Sequence, residues 1–318
     1  MVAPVSGKIV IFGASADSDF GIWPKDQLVL ICGRKPDFDQ LQGAGYSVSV
    51  EVPSEAGLTV VLLPRAKVEA RAMIEQAVAI STGSVIVDGQ KTDGIDSIFK
   101  EMRKRANCSM ALSKAHGKLF VVQDAKGTVD EWAAPGLPQK NTDGFVTSAG
   151  VFSTDGIDPA SKLLAAALPE KLGRHVVDLG AGWGYLASQI LSRSAVEHID
   201  LVEADHAALV CAEMNVTDPR AAFYWADATT WKPANARVDS VVMNPPFHVG
   251  RKGLPDLGRA FIASAAGMLA PGGHLWMVAN RHLPYEDELA RRFGRVEEIG
   301  SDTRFKLFAA SRPSRQLR

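Results

Sequence analysis

The chain has 318 residues, 46% of them hydrophobic and 22% charged, with a formal net charge of −1, which is room for two globular domains of ordinary composition and no overall polyanion binder. No apolar run is long enough to span a bilayer, and the first residues lack the basic and long apolar stretches of a signal peptide, so neither a membrane protein nor a secreted one is expected. Cys32, Cys108 and Cys211 are widely spaced; they give no disulfide framework and no metal cluster, and a cytoplasmic protein without a metal is the expectation.

In chain order, "KIVIF", "QLVLIC", "YSVSV" and "LTVVLL" read as strands. "RAKVEARAMIEQAVAI" has apolar residues at helical spacing, and "SVIVDG" is a further strand. The alternation predicts an α/β layer architecture. Residues 124–150 break the pattern, being rich in Gly, Pro, Asn, Asp and Thr. They predict an interdomain connection, which sets a first domain at 1–123, a linker at 124–147 and a second domain at 148–318.

The second half resumes with strand "RHVVDLG", helix "YLASQILSRS", strand "HIDLVEA", helix "HAALVCAEMN", and strands "AAFYWAD" and "VDSVVMN". Helix "LGRAFIASAAGML", a "PGG" turn, strand "HLWMVAN", helix "YEDELARRF" and strands "RVEEIGS" and "RFKLFAA" follow. "LTVVLLPRAK", a helix and "STGSVIVDG" parallel "DSVVMNPPFH", a helix and "APGGHLWMVAN". Each is strand, proline corner, helix, Gly turn, strand, the rhythm of an internal duplication.

Positive charge is local. One run holds Lys100, Arg103, Lys104, Arg105, Lys114 and Lys118, and the C-terminal run holds Arg304, Lys306, Arg312, Arg315 and Arg318. Two readings stand: a solvated helix face with a frayed tail, or contacts to nucleic acid.

The chemistry-bearing residues lie in the second half, at the carboxyl ends of successive predicted strands, where open parallel sheets bind ligands. The first group is Asp178-Leu179-Gly180-Ala181-Gly182-Trp183-Gly184, a strand running into a glycine loop and a helix. Glycines let such a loop turn sharply and let a ligand approach the backbone. The spacing is GxGxG, not the GxGxxG of dinucleotide binders. Next, Glu203 closes "IDLVE", where a carboxylate can accept both hydroxyl protons of a ribose; Asp205 competes for that role. Then Asp227-Ala228 follow "FYWA". That acid can accept from an adenine amine, and the Ala228 N–H can reach a ring nitrogen. Taken singly, these are a glycine turn, a solvated loop acid and a turn or cap aspartate. Their order along successive strands is what points to a ligand.

The fourth strand ends in "VVMNPPFH". Neither Pro245 nor Pro246 has an N–H to give a sheet, and Pro246 forces Pro245 into an extended conformation. Together the four groups resemble the class I S-adenosylmethionine-dependent methyltransferases. The resemblance implies that Asp178, Gly180, Gly182 and Gly184 form the first cofactor motif for S-adenosyl-L-methionine. It makes Glu203 the ribose acid, Asp227 with Ala228 the adenine contact, and Asn244 to Phe247 the fourth motif, in which Asn244, Pro245 and Phe247 are catalytic and Asn244 also contacts the cofactor. In that superfamily an Asn-Pro-Pro-aromatic corner accompanies methylation of a planar, sp²-linked nitrogen. The physics fits such a reaction. An amine on a conjugated ring is a poor nucleophile, and the Asn244 side-chain oxygen and the Pro245 carbonyl can each accept one of its N–H groups. Phe247 can stack on the base.

His248 narrows the resemblance, because "NPPFH" is similar to the bacterial ribosomal RNA guanine-N2 methyltransferases. "GVFSTDGIDPASKLL", with Phe152, Ser153, Asp155 and Asp158, looks like that family's lead-in to the first motif, and "VANRHLPY" and "RFKLF" resemble its late strands. The likeness covers residues 148–311. It implies two tandem Rossmann-like class I methyltransferase domains, the N-terminal one degenerate: "FGASAD" supplies one glycine, and Pro64-Arg65 stands where a working corner has Asn-Pro-Pro. It also implies transfer of a methyl to guanine N2, with 16S rRNA or a ribosomal subunit as the partner. Phe152, Phe247, His248 and Arg251 would contact the substrate, and the protein would be a monomer or a homodimer. The alternatives are an adenine-N6 or protein-glutamine methyltransferase, and a non-catalytic RNA-binding or assembly factor.

Overall fold

The apolar runs of the first half become a parallel sheet in the computed structural model, which describes residues 6–314 except 235–236, 247, 250–251 and 254, and omits the side chains of 248, 249, 252 and 253. Strands β1 (Ile9–Phe12), β2 (Leu28–Ile31), β3 (Ser47–Ser49), β4 (Leu58–Leu62) and β5 (Val85–Gln90) alternate with helices α1 (Lys35–Gly43), α2 (Lys67–Ile80) and α3 (Ile95–Met102). Strands β6 (Asn107–Cys108), β7 (Leu112–Lys114) and β8 (Gly117–Gln123) follow, and the sheet order is β3-β2-β1-β4-β5-β8-β6, with β7 also paired to β8 and β8 antiparallel to β5, β6 and β7. Helix α2 buries Ala70, Ile74, Ala77 and Val78, the i, i+4, i+7, i+8 stripe that packs a helix on a sheet. Removing those side chains from water is what holds the layer together.

By its contacts the chain divides into two units, residues 1–139 with 148–150, and 140–147 with 151–318. The stretch predicted as a linker from 124 is therefore divided. Its first part folds with the first unit, where Ala125, Val129 and Trp132 are buried in the same core as Ile74 and Phe120. Arg71 and Arg105 stand over the Trp132 ring at 5.4 and 5.2 Å. Short 3₁₀ turns carry this segment, and they leave no periodicity to read. The two-residue strands β9 (Gln139–Lys140) and β10 (Val146–Thr147) pair at the changeover.

In the second unit α4 (Pro159–Ala167) precedes β11 (His175–Leu179), α5 (Tyr185–Leu191), β12 (His198–Glu203), α6 (His206–Asn215), β13 (Ala221–Trp225) and β14 (Val238–Met243). A small ribbon of β15 (His248–Val249) and β16 (Lys252–Gly253) is followed by α7 (Pro255–Met268), β17 (Leu269–Asn280), α8 (Glu286–Arg292), β18 (Phe293–Ser301) and β19 (Phe305–Pro313). The sheet order is β13-β12-β11-β14-β17-β19-β18, parallel up to β17, with β19 antiparallel to both neighbours. Both units thus share the order 3-2-1-4-5 over their first five strands, and the matched strand–helix–strand segments of the sequence occupy the fourth and fifth places. The predicted "PGG" turn lies inside β17, in the irregular register between the Val238–Leu269 and Ser240–His274 pairs.

The basic runs are partly structural. Arg105 pairs with Glu131 and Lys118 with Asp96. The C-terminal run is strand β19 as far as Pro313, and Lys306 is buried and paired with Glu286. A frayed tail is thus excluded for residues 305–313; Arg315 and Arg318 lie outside the described residues.

Candidate active site

The carboxyl ends of β11, β12, β13 and β14 bring most of the sequence-predicted residues to one edge of the second sheet. The glycine loop turns from β11 into α5. Gly180, Gly182 and Gly184 all have positive φ, at +81°, +55° and +90°. At Gly184 a Cβ would come within 2.9 Å of Val216 and 3.4 Å of Ala212, so only glycine lets α5 pack on α6. At Gly182 a Cβ would meet nothing within 4 Å. There the demand is conformational alone, and the backbone is left open on that side. The loop, with Phe152, Ser153, Asp158, Ser161 and Asn244, lines a cleft.

Glu203 reaches back to the loop. Its carboxylate accepts the N–H of Gly182 and the N–H of Asp205, each at 2.8 Å. Burial pushes its pKa up, and these N–H groups oppose the shift. Asp205 caps α6 by accepting from Ala207 and Ala208, which leaves the end-of-strand position to Glu203. Asp227 forms a tight turn, its Oδ1 accepting the N–H and hydroxyl of Thr229 at 2.8 and 2.7 Å. Ala228 is buried beside it and accepts a hydrogen bond from Ser264.

Asp178 lies underneath the loop rather than on the cleft surface. It has no solvent exposure, and among the described residues its carboxylate is close only to the Ala187 N–H, too loosely for a well-formed hydrogen bond. Burial pushes its pKa up to about 7, opposed by the Ala187 backbone N–H and aided by the Glu203 charge. Trp183 is a core residue, packed 5.0 Å from Phe145, and its Nε1 donates to the Phe152 carbonyl at 2.9 Å. That bond ties the glycine loop to the lead-in segment. Phe152 itself is 61% exposed and lies at the edge of the cleft.

Asn244 sits at the end of β14, with Pro245 buried and Pro246 exposed. Its Nδ2 donates to Asp158 Oδ2 and to Ser161 Oγ, both at 2.9 Å. Its Oδ1 is buried and has no partner among the described residues. Asp158 is the N-cap of α4, with Pro159 at the first helical position, and accepts the Ser161 N–H at 2.8 Å. Sequence reasoning placed Asp158 in the lead-in segment but missed both bonds to Asn244. Phe247 and Arg251 lie outside the described residues, and of His248 only the backbone pairing with Gly253 is described.

A group able to hold a metal ion does occur elsewhere: the Nε2–H groups of His175 and His198 each donate to one oxygen of the Asp200 carboxylate, at 2.7 and 2.8 Å. These bonds already compensate the buried Asp200 carboxylate.

The first unit has different residues at the equivalent places. Register matches Gly13 to Gly180, since Ala14 and Ala181 donate to Ile31 and Val202 respectively. It follows that Ile11 stands at the Asp178 position, Cys32 at Glu203 and Leu62 at Asn244. The corner is thus Leu62-Leu63-Pro64, one step earlier than the sequence alone implied.

A model of the family described as "Methyltransferase small domain" matches residues 143–309. The "Ribosomal RNA small subunit methyltransferase C" of Hahella chejuensis is 30% identical over 240 residues, covering 70% of this chain and 68% of that protein. The chain belongs to this family. The protein of the same description from Shewanella oneidensis is 29% identical over 261 residues, covering 78% and 75%. Among solved structures, the T. thermophilus 16S rRNA N2 G1207 methyltransferase, in complex with AdoMet and guanosine, matches with a TM-score of 0.82 at 26% identity, over 98% of this chain and 90% of that one. The family is one of S-adenosylmethionine-dependent rRNA guanine-N2 methyltransferases, built from two tandem methyltransferase-like domains of class I fold. No helix among the described residues is long and apolar enough to cross a membrane.

Proposed function

We propose that the protein transfers a methyl group from S-adenosylmethionine to the exocyclic N2 of a guanine in 16S rRNA. The observation that carries the reading is the buried, unpartnered Asn244 Oδ1 on a cleft whose floor is the glycine loop. A buried amide oxygen without a partner costs about 1–3 kcal/mol, and an N–H from a bound amine removes that cost.

The cleft fits the cofactor. The positive-φ backbone at Gly182 is open, and Glu203 presents a carboxylate at the strand end beside it. Glu203 would hold the ribose hydroxyls, Asp227 and the Ala228 N–H the adenine, and the loop at 180–184 the remainder. When bound, the cofactor supplies a methyl group on a sulfonium that is already a good leaving group. What the chain contributes is position. Asn244 Oδ1 and the Pro245 carbonyl accept the two N–H groups of the guanine N2. This holds the nitrogen and favours its pyramidal, more basic form as positive charge develops on it. The exposed Phe152, with Phe247, His248 and Arg251 from the sequence pattern, would hold the unstacked base and its phosphates. The first unit would support or bind RNA.

The test is transfer of labelled methyl to 16S rRNA and to small subunits from cells lacking the protein, followed by nucleoside analysis. N2-methylguanosine is the expected product, in the cytoplasm and with no metal required. N6-methyladenosine or labelled protein would overturn the choice of acceptor. Gel filtration during the assay distinguishes a monomer from a homodimer.

A further inference from the structure

We propose that Asp158, with Ser161, is a positioning residue that locks the Asn244 side chain with its oxygen toward the substrate. This rests on the methyltransferase reading above and assigns a cause to its central feature. A primary amide can turn over about χ2 and exchange its NH₂ for its oxygen at nearly the same volume. Here both Nδ2 protons are used, one by Asp158 Oδ2 and one by Ser161 Oγ. Ser161 cannot choose between the two orientations, because a hydroxyl both donates and accepts. Asp158 can: an ionised carboxylate only accepts, so a turned amide would set oxygen against oxygen. It would also point an NH₂ at the substrate amine, donor against donor.

Asp158 is itself held. Its Oδ2 accepts the Ser161 N–H at 2.8 Å as the N-cap of α4. The order of control therefore runs from the helix end to the carboxylate, from the carboxylate to the amide, and from the amide to the nitrogen that is methylated. The carboxylate also polarises the amide. Donation from Nδ2 to a negative acceptor raises electron density on Oδ1, and hydrogen bonds in such a chain strengthen one another. The gain is largest when the substrate nitrogen carries positive charge, so the effect falls on kcat rather than on cofactor binding.

The test uses Asp158→Ser, which keeps a good N-cap but loses the charge and the reach to Asn244, and Ser161→Ala, which keeps the helix. Each is made in the wild-type and the Asn244→Ala backgrounds. Asp158→Ser is expected to lower kcat roughly 100-fold, with S-adenosylmethionine affinity nearly unchanged, and to have no further effect once Asn244 is alanine. Equal loss in both backgrounds, or loss of cofactor affinity in proportion to kcat, would overturn the proposal. A substrate-free measurement separates this from the function itself. The Asn244 side-chain NH₂ should exchange slowly with solvent in an NMR spectrum and lose that protection in Asp158→Ser. Unchanged exchange refutes the lock even if methyl transfer is confirmed, and lost protection supports it even if the acceptor proves not to be guanine.

Discussion

The two units share the strand order 3-2-1-4-5 and differ at the ends of those strands. At the three equivalent places the second unit has Asp178, Glu203 and Asn244, and the first has Ile11, Cys32 and Leu62. Ile11 is wholly buried, as Asp178 is. The difference shows that the sheet does not need these polar groups. A buried carboxylate and an unpartnered amide oxygen are costs to folding, and at these three places the first unit has neither. The second unit retains them, which is the pattern of a site kept for binding and chemistry rather than for stability.

Copying the first unit into the second should therefore remove function in separable steps. The largest effect is expected for Asn244→Leu. Methyl transfer should fall by about 1,000-fold or more, as for loss of a charge-stabilising contact, while equilibrium binding of S-adenosylmethionine changes little. Equal loss of binding and transfer would show that Asn244 holds the cofactor rather than the amine. Next is Glu203→Cys, which removes the carboxylate proposed to accept the two ribose hydroxyls. Cofactor affinity should drop roughly 100-fold, about 3 kcal/mol, as read by calorimetry.

The smallest effect concerns stability. Asp178 has its pKa raised to about 7 by burial, so between about pH 4 and 7 the folded state binds a proton that the unfolded chain releases. Stability then falls as pH rises through that window, and the cost of the buried charge is fully present above about 7. Asp178→Asn should therefore raise the unfolding midpoint at pH 8 and do so progressively less toward pH 5. A gain independent of pH would mean that the carboxylate is not the source of the cost.

Much of this contrast was legible in the sequence. Glycines, Glu203, Asp227 and the Asn244-Pro245-Pro246 corner are consecutive signals at strand ends, where residue type alone limits what the backbone and a ligand can do. The bonds from Asn244 to Asp158 and Ser161 were not, because 86 and 83 residues separate the partners and no local pattern reports such a pairing. The fold of 124–139 was hidden for a different reason. Trp132 and Val129 are buried from irregular turns, whereas the eye follows periodicity. The degenerate corner was legible in kind but one residue out of register, since a proline marks a bend and only strand pairing tells which residue precedes it.

A cofactor site in the second unit alone, with only its frame kept in the first, sets how many cofactors the chain can bind. The most direct measurement is calorimetric titration of S-adenosylmethionine into the intact protein, alongside Glu203→Cys and the reciprocal Cys32→Glu. One cofactor per chain is predicted, with affinity strongly reduced in Glu203→Cys and no second binding event in Cys32→Glu. Two cofactors per chain, or affinity indifferent to Glu203→Cys, would contradict it.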